Sequence, residues 1–333
     1  MSEPKISVVM PAYNAEKYVS EAITSIISQT FTDFEFIIIN DSSADSTKQI
    51  IESFSDPRIK LINNERNQGV AQSLNIGISA AKGKYIARMD ADDISLPERL
   101  QTQFNFMERN PDIDICGSWI ETFGDRNEIV KKPLVHSDIR DTTFFSCSMT
   151  HPTVIFKRDL NIQYSSDFPR AEDYDLWCRK INELKFANIP EVLIRYRLHE
   201  YQVSSANKSN QDRDADAIRI RNLYSIGVNL SEKEKQIYLD IISGNFTAQN
   251  KSLLITSVTM LEKILIAGTE HNYGQYFQER IRNSIKDIVT SGIPKKITSL
   301  KLYLTTFRKW EIFETPRANL RYIYHCLRNL MHV

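Results

Sequence analysis

Three carboxylates crowded at the end of an apolar run are the most specific chemical signal in this chain. Asp90-Ala91-Asp92-Asp93 follows Tyr85-Ile86-Ala87 through Arg88 and Met89. Clustered oxygen donors suit hard divalent cations such as Mg2+ or Mn2+, which are often shared between one or two carboxylates and a substrate diphosphate. The same string also suits an acidic, solvated turn, so its neighbours must decide.

Two further segments follow apolar runs, Pro11-Ala12-Tyr13-Asn14 and Asn40-Asp41-Ser42-Ser43. A nucleobase with its ribose needs an in-plane hydrogen-bonding group, a flat apolar contact and a carboxylate for hydroxyls; Asp41, Tyr13 and Asp90 supply these. Singly, Asp41 reads as an Asx turn and Tyr13-Asn14 as a helix entry; jointly they favour a site. In Ala171-Glu172-Asp173-Tyr174-Asp175-Leu176-Trp177 the acids either complement a helix N-terminus or include a general base. A carboxylate in a cleft, beside other negative groups, has its pKa raised far enough to take a proton from an attacking hydroxyl. His199 lies in a polar segment after a strand and suits a metal or diphosphate contact. His151, before Pro152, reads as a turn residue.

These residues need a scaffold that delivers them to one place. Ile6–Met10, Phe36–Ile39, Ile59–Ile62 and Tyr85–Met89 read as strands. Between them run helical patterns, one with Asn14 as its cap and apolar positions from Tyr18 to Ile27, one capped by Asp45 and reaching Phe54, and one over Gly69–Lys82. Such β/α alternation predicts a mainly parallel sheet flanked by helices, with ligands at the carboxyl ends of the strands. After Pro111 the alternation weakens. Strands are expected over Ile113–Trp119, Thr153–Lys157 and Glu191–Tyr196, a helix over Glu172–Asn182, and only helices from about Asn210. A polar stretch near Ser204–Gln211 divides a catalytic domain, 1–206, from a helical C-terminal extension, 207–333.

At 333 residues the chain exceeds a single ordinary core. With 42 basic and 42 acidic residues, its balance gives no support for a nucleic-acid partner. No charged-then-apolar leader and no apolar run approaching ~20 residues is visible, which predicts a cytoplasmic, soluble protein. Cys116, Cys147, Cys178 and Cys326 lack metal-site spacing and read as reduced, mostly buried thiols.

Five ordered strings carry a family resemblance: VVMPAYNAEKYVSEAITSIISQTFTDFEFIIINDSSADST, NERNQGVAQSLNIGISAAKGKYIARMDADD, HPTVIFKRD, AEDYDLW and YRLHEYQVS. Residues 5 to about 204 resemble an inverting glycosyltransferase of family 2 with the GT-A (Rossmann-like) fold. The resemblance implies that Asp41 contacts the base, Asp90 the ribose and Asp92 a Mn2+ or Mg2+ ion bridging the diphosphate. It makes Asp173 the catalytic base and Glu172 an acceptor-binding residue, and adds His199 near the metal. Pro11, Ala12, Tyr13, Asn14, Asn67, Gly69, Asn75, Arg88 and Ala91 complete the implied nucleotide-sugar set, and Asp93 is a supporting residue. Asn40 departs from the family, whose members often carry an aspartate there.

The implied reaction moves a sugar from a nucleotide-diphospho-sugar, a UDP-hexose or UDP-N-acetylhexosamine, to a glycan or lipid-linked glycan. It forms a β-linkage in surface polysaccharide biosynthesis. The alternatives are a non-catalytic nucleotide-sugar binding protein and a sugar nucleotidyltransferase. The latter would place a glycine-rich phosphate loop with a basic residue where Pro11-Ala12-Tyr13-Asn14 stands. Near the end, Lys295, Lys296, Lys301, Arg308, Lys309, Arg317, Arg321 and Arg328 are interleaved with aromatic residues. That composition suits either a solvated basic helix face or peripheral contact with anionic lipid.

Overall fold

Strict alternation along the first apolar runs makes them strands buried on both faces. In β1 (Ile6–Ala12) Ile6, Val8 and Met10 join one core layer and Val9 the other; β2 (Phe34–Asn40) divides into Phe34, Phe36 and Ile38 against Ile37 and Ile39, and is buried throughout. Double-sided burial is why both read as near-continuous apolar runs. The computed structural model describes residues 3–199, 208–246 and 251–291. α1 (Val19–Ile27), α2 (Thr47–Glu52) and α4 (Arg99–Arg109) cover the first layer. α3 (Val70–Ala80), α5 (His136–Thr143) and α6 (Glu172–Lys180) cover the second. Gly77 lets α3 lie close to the sheet: a Cβ there would sit 2.4 Å from Val9 Cγ1 and 2.7 Å from Ile39 Cδ1.

The remaining strands are β3 (Ile59–Asn63), β4 (Tyr85–Arg88), β5 (Ile94–Ser95), β6 (Ile115–Gly124), β7 (Ile129–Val130), β8 (Ile155–Lys157) and β9 (Phe186–Leu198). Their order is β3-β2-β1-β4-β8-β6-β9-β5, with β7 on β6. The long pairings, β1 with β2 and β4, β2 with β3, and β6 with β9, are parallel. β8 runs antiparallel to both β4 and β6. Two reversals restore direction, so β9 ends at the same edge of the sheet as β1, β2 and β4. The segment entering β8 starts from that edge too. The fold therefore brings 11–14, 40–43, 90–93, 151–154 and 197–199 to one end.

Several local expectations shift. Asn14 does not cap α1, whose N-cap is Tyr18; it takes a left-handed conformation (φ 47) and accepts a hydrogen bond from the Ala44 N–H at 2.9 Å. Likewise α2 starts after Ser46, while Asp45 accepts from the N–H of Thr47 at 3.0 Å. β6 runs five residues past Trp119, and β9 replaces the shorter strand Glu191–Tyr196. α4 and α5 lie where no helix is expected from the sequence. The buried face of α4 carries Arg99 and Gln103 beside Leu100 and Met107, which blurs its apolar periodicity.

The chain divides into two compact units, 1–218 and 219–333. α7 (Lys208–Ser225) crosses that point. In the second unit α8 (Glu232–Ile242) starts with a capping box between Ser231 and Glu234. α9 (Lys251–Glu270) and α10 (Gln275–Ser291) bury Leu254, Val258, Leu261, Ile264 and Leu265 together with Phe277, Ile281 and Ile285. Contrary to the sequence reading, one described helix, Ser252–Glu270, is long and apolar enough to span a membrane. Glu262 and Lys263 interrupt its apolar run, and much of it is core of this unit. The basic, aromatic end from Lys295 and the Cys326 thiol lie outside the described residues.

Candidate active site

β4 stops where Arg88 turns its guanidinium into the protein interior, and the chain then presents Asp90, Asp92 and Asp93. Their ligand oxygens lie within 4.8 Å of one another. Arg88 is buried and paired with Asp90. Beneath it, fully buried Arg99 donates from Nη2 to the Arg88 carbonyl at 2.7 Å and from Nε to Gln103 at 3.0 Å. Gln103 in turn reaches the Thr153 carbonyl at 2.7 Å, tying α4 to the entry of β8.

Crowding shows in the protonation equilibria. Asp90 is pushed up to about 6, by burial first, with Arg88 pulling it down and Asp92 adding to the rise. Asp93, buried, is raised well above the carboxylate range by burial and by Asp92 and Asp90. Its Oδ1 accepts from the Arg197 N–H at 2.9 Å, whereas buried Oδ2 has no hydrogen-bond partner among the described residues. Three convergent carboxylates with one orphaned oxygen form the donor set that a hard divalent cation satisfies. His199 brings a nitrogen to this set, with Nε2 3.0 Å from Asp92 Oδ2.

Arg197 is a site residue that the sequence reading missed. Its Nε donates to the Asp92 carbonyl at 2.8 Å, and its Nη2 to Glu21 of α1 at 2.5 Å. Its guanidinium also covers the Tyr18 ring at 4.5 Å, and that ring lies 4.7 Å from His199. Residues two apart on a strand share a face, so the spacing of Arg197 and His199 was a usable signal.

Asp41 is buried. Its Oδ1 accepts from Asn64 Nδ2 at 2.7 Å and the Gln68 N–H at 2.9 Å, its Oδ2 from the Gly69 N–H at 2.8 Å. Gly69, at φ 84, opens α3 in a conformation that favours glycine. Nearby, Tyr13 is 52% exposed and its ring is open to contact. Pro11 is half-buried and Ala12 buried, and Asn14 and Asn67 are exposed. Asn75 turns elsewhere: its side chain makes two hydrogen bonds to the backbone of Tyr164, both 2.9 Å. Ala91 is buried between the acids.

α6 delivers the second acidic pair. Asp173 Oδ1 accepts from the Tyr174 N–H at 2.7 Å, and Oδ2 lies 3.4 Å from the Cys147 thiol. Glu172 is buried and pushed up to about 8, by burial first and then by the charge of Asp173, with Asp90 contributing. Asp173 is the least of the charges that raise Asp90, after Asp92. His151 is a turn residue, as its place before Pro152 suggests, and it is also enclosed. It lies buried in a 3-10 turn, Nε2 2.9 Å from the Tyr164 hydroxyl and Nδ1 3.7 Å from Glu172, with its pKa held well below the usual range by burial. A cavity of about 610 Å³ at the opposite end of the sheet, bordered by Lys5, Lys84, Glu108 and Lys157, includes no expected site residue.

Residues 7–169 match the family described as Glycosyl transferase family 2. An uncharacterized glycosyltransferase of Haemophilus influenzae is 36% identical over 290 residues, covering 80% of this chain and 90% of the relative. The chain belongs to glycosyltransferase family 2. Another relative, the UDP-Glc:alpha-D-GlcNAc-diphosphoundecaprenol beta-1,3-glucosyltransferase WfgD of Escherichia coli, is 32% identical over 221 residues, or 66% of this chain and 87% of that one. The crystal structure of S. aureus TarS 1-349 in complex with UDP-GlcNAc superposes with a TM-score of 0.56 at 20% identity, covering 87% of this chain and 82% of the TarS 1-349 chain. The GT-A fold expected of the family is thus the fold observed, and this chain is a glycosyltransferase.

Proposed function

We propose that this glycosyltransferase moves a hexose or N-acetylhexosamine from a UDP-sugar to a lipid-linked glycan with inversion, in surface polysaccharide assembly at the cytoplasmic face of the membrane. The observation that carries this reading is the convergence of the Asp90, Asp92 and Asp93 oxygens within 4.8 Å of one another, with His199 Nε2 3.0 Å from Asp92, at the strand ends where Asp41 and Tyr13 also stand. A base and a diphosphate anchor must face each other across the anomeric carbon for a single displacement. The names of WfgD and of the TarS complex support UDP-sugar as donor and a lipid diphosphate as acceptor carrier.

In the proposed reaction the acceptor hydroxyl oxygen attacks the anomeric carbon, its proton passes to Asp173, and the bond to the diphosphate breaks with its electron pair leaving on UDP. One displacement inverts the centre, so an α-linked donor gives a β-linkage. Asp92, His199 and the neighbouring acids would hold Mn2+ or Mg2+, which when bound neutralises charge growing on the leaving diphosphate. Mixed oxygen and imidazole donors favour Mn2+. Asp90 takes the ribose. Asp41 Oδ2 accepts one protein hydrogen bond and retains a lone pair for a base N–H, and the exposed Tyr13 ring offers the base a flat contact. Glu172, protonated at neutral pH, donates to an acceptor oxygen. Residues 1–206 carry this chemistry.

A thermal-shift panel of UDP-sugars with and without Mn2+ identifies the donor. Asp173→Asn then retains donor binding and loses transfer by about 10²–10⁴-fold, the range for a general base. Wild-type transfer by that variant would remove Asp173 from the mechanism.

A further inference from the structure

We propose that Cys147 is a positioning residue for Asp173, its thiol aiming one carboxylate oxygen while leaving that oxygen basic. The inference rests on Asp173 being the base.

The carboxylate of Asp173 is gripped from two segments. Its own helix supplies the Tyr174 N–H to Oδ1 at 2.7 Å, and the stretch between α5 and the 3-10 turn at His151 supplies Cys147 Sγ to Oδ2 at 3.4 Å. The backbone bearing the thiol is itself anchored, since the Cys147 carbonyl accepts from Lys132 Nζ at 2.9 Å. Burial, followed by the charge of Asp173, raises the thiol pKa well above its ordinary value, with Lys132 opposing; Cys147 is therefore an S–H donor.

That single proton has a second acceptor, the Met149 carbonyl at 3.2 Å. Thiols are weak donors. A strong donor on Oδ2 would stabilise the charged carboxylate and depress its basicity. A weak donor with an alternative partner orients Oδ2 in the ground state and turns to Met149 once Asp173 has taken a proton. No other described side chain touches Oδ2 in the hydrogen-bond network. Cys147 thus separates aiming the base from weakening it.

The test measures UDP release from the UDP-sugar that most raises the melting temperature, with Mn2+, for the full chain and its Cys147→Ala, Cys147→Ser and Asp173→Asn variants. Cys147→Ala is expected to lower kcat about fivefold to tenfold, the scale of one hydrogen bond. Its KM for the UDP-sugar should stay constant and its Tm move by less than ~2 °C. Cys147→Ser, which keeps a donor but a stronger one, should recover kcat only in part, to a value between the alanine variant and wild type. Full kcat in Cys147→Ala overturns the inference. So does equal slowness of the serine variant, or a loss confined to KM or Tm, because packing alone would produce either. If Asp173→Asn is inactive while Cys147→Ala is fully active, only the role of Cys147 fails. If Asp173→Asn releases UDP normally, the base assignment fails and this inference with it.

Discussion

Replacing Glu172 by Gln should make the catalytic unit more stable at alkaline pH. The folded carboxyl titrates at about 8 instead of the ordinary 4.5, because it is buried beside Asp173. Between those values the folded state holds a proton that the unfolded chain has released, so stability falls as pH rises through the window and levels off above about 8. Each pH unit is worth ~1.4 kcal/mol, which sets a ceiling of about 5 kcal/mol for the whole rise. Local hydration and the partnership with Asp173 reduce this, and about 2 kcal/mol should survive. Glutamine keeps the shape and a donor without the titration. Urea unfolding followed by the fluorescence of buried Trp177 at pH 5 and pH 8.5 gives the comparison. Wild type should lose stability relative to Glu172→Gln by about 2 kcal/mol or more across that range. Parallel curves, separated by a constant within ~0.5 kcal/mol, would refute the burial argument.

Three further outcomes are expected. Asp92→Ala should weaken Mn2+ binding, read by electron paramagnetic resonance of the free ion, by at least ~tenfold, since loss of an outer partner alone costs that much; unchanged affinity would take Asp92 out of the metal set. Gly77→Ala should lower stability by about 1–3 kcal/mol, because its Cβ would press on Val9 and Ile39 within a packed layer; an unshifted denaturation midpoint would show that α3 can lift without cost. Asp173→Asn, treated above, should separate donor binding from turnover in a calorimetric and kinetic pair.

How much was legible follows from how local each signal is. The parallel half was readable because β1, β2 and β4 are short, buried on both faces and separated by helices with apolar stripes, as in Val19, Ala22, Ile23 and Ile26. α4 escaped because buried Arg99 and Gln103 occupy core positions for an electrostatic reason, holding the end of β4. His151 escaped because its role depends on Tyr164 and Glu172, thirteen and twenty-one residues away in sequence yet adjacent in space. The orientation of Asn75 toward Tyr164 has the same origin.

The sequence by itself determined the element types at the amino-terminal half, the acidic clusters and the family, since each rests on periodicity or on side-chain chemistry within a short span. Only the tertiary structure decided which groups share a field. Two antiparallel turns around β8 bring β9 back to the edge where β4 ends, so Arg197 and His199 meet Asp92 across more than a hundred residues of chain. Burial at that edge then sets the protonation of Asp90 and Glu172, because desolvation and like charge are properties of the assembled site and have no trace in the order of residues.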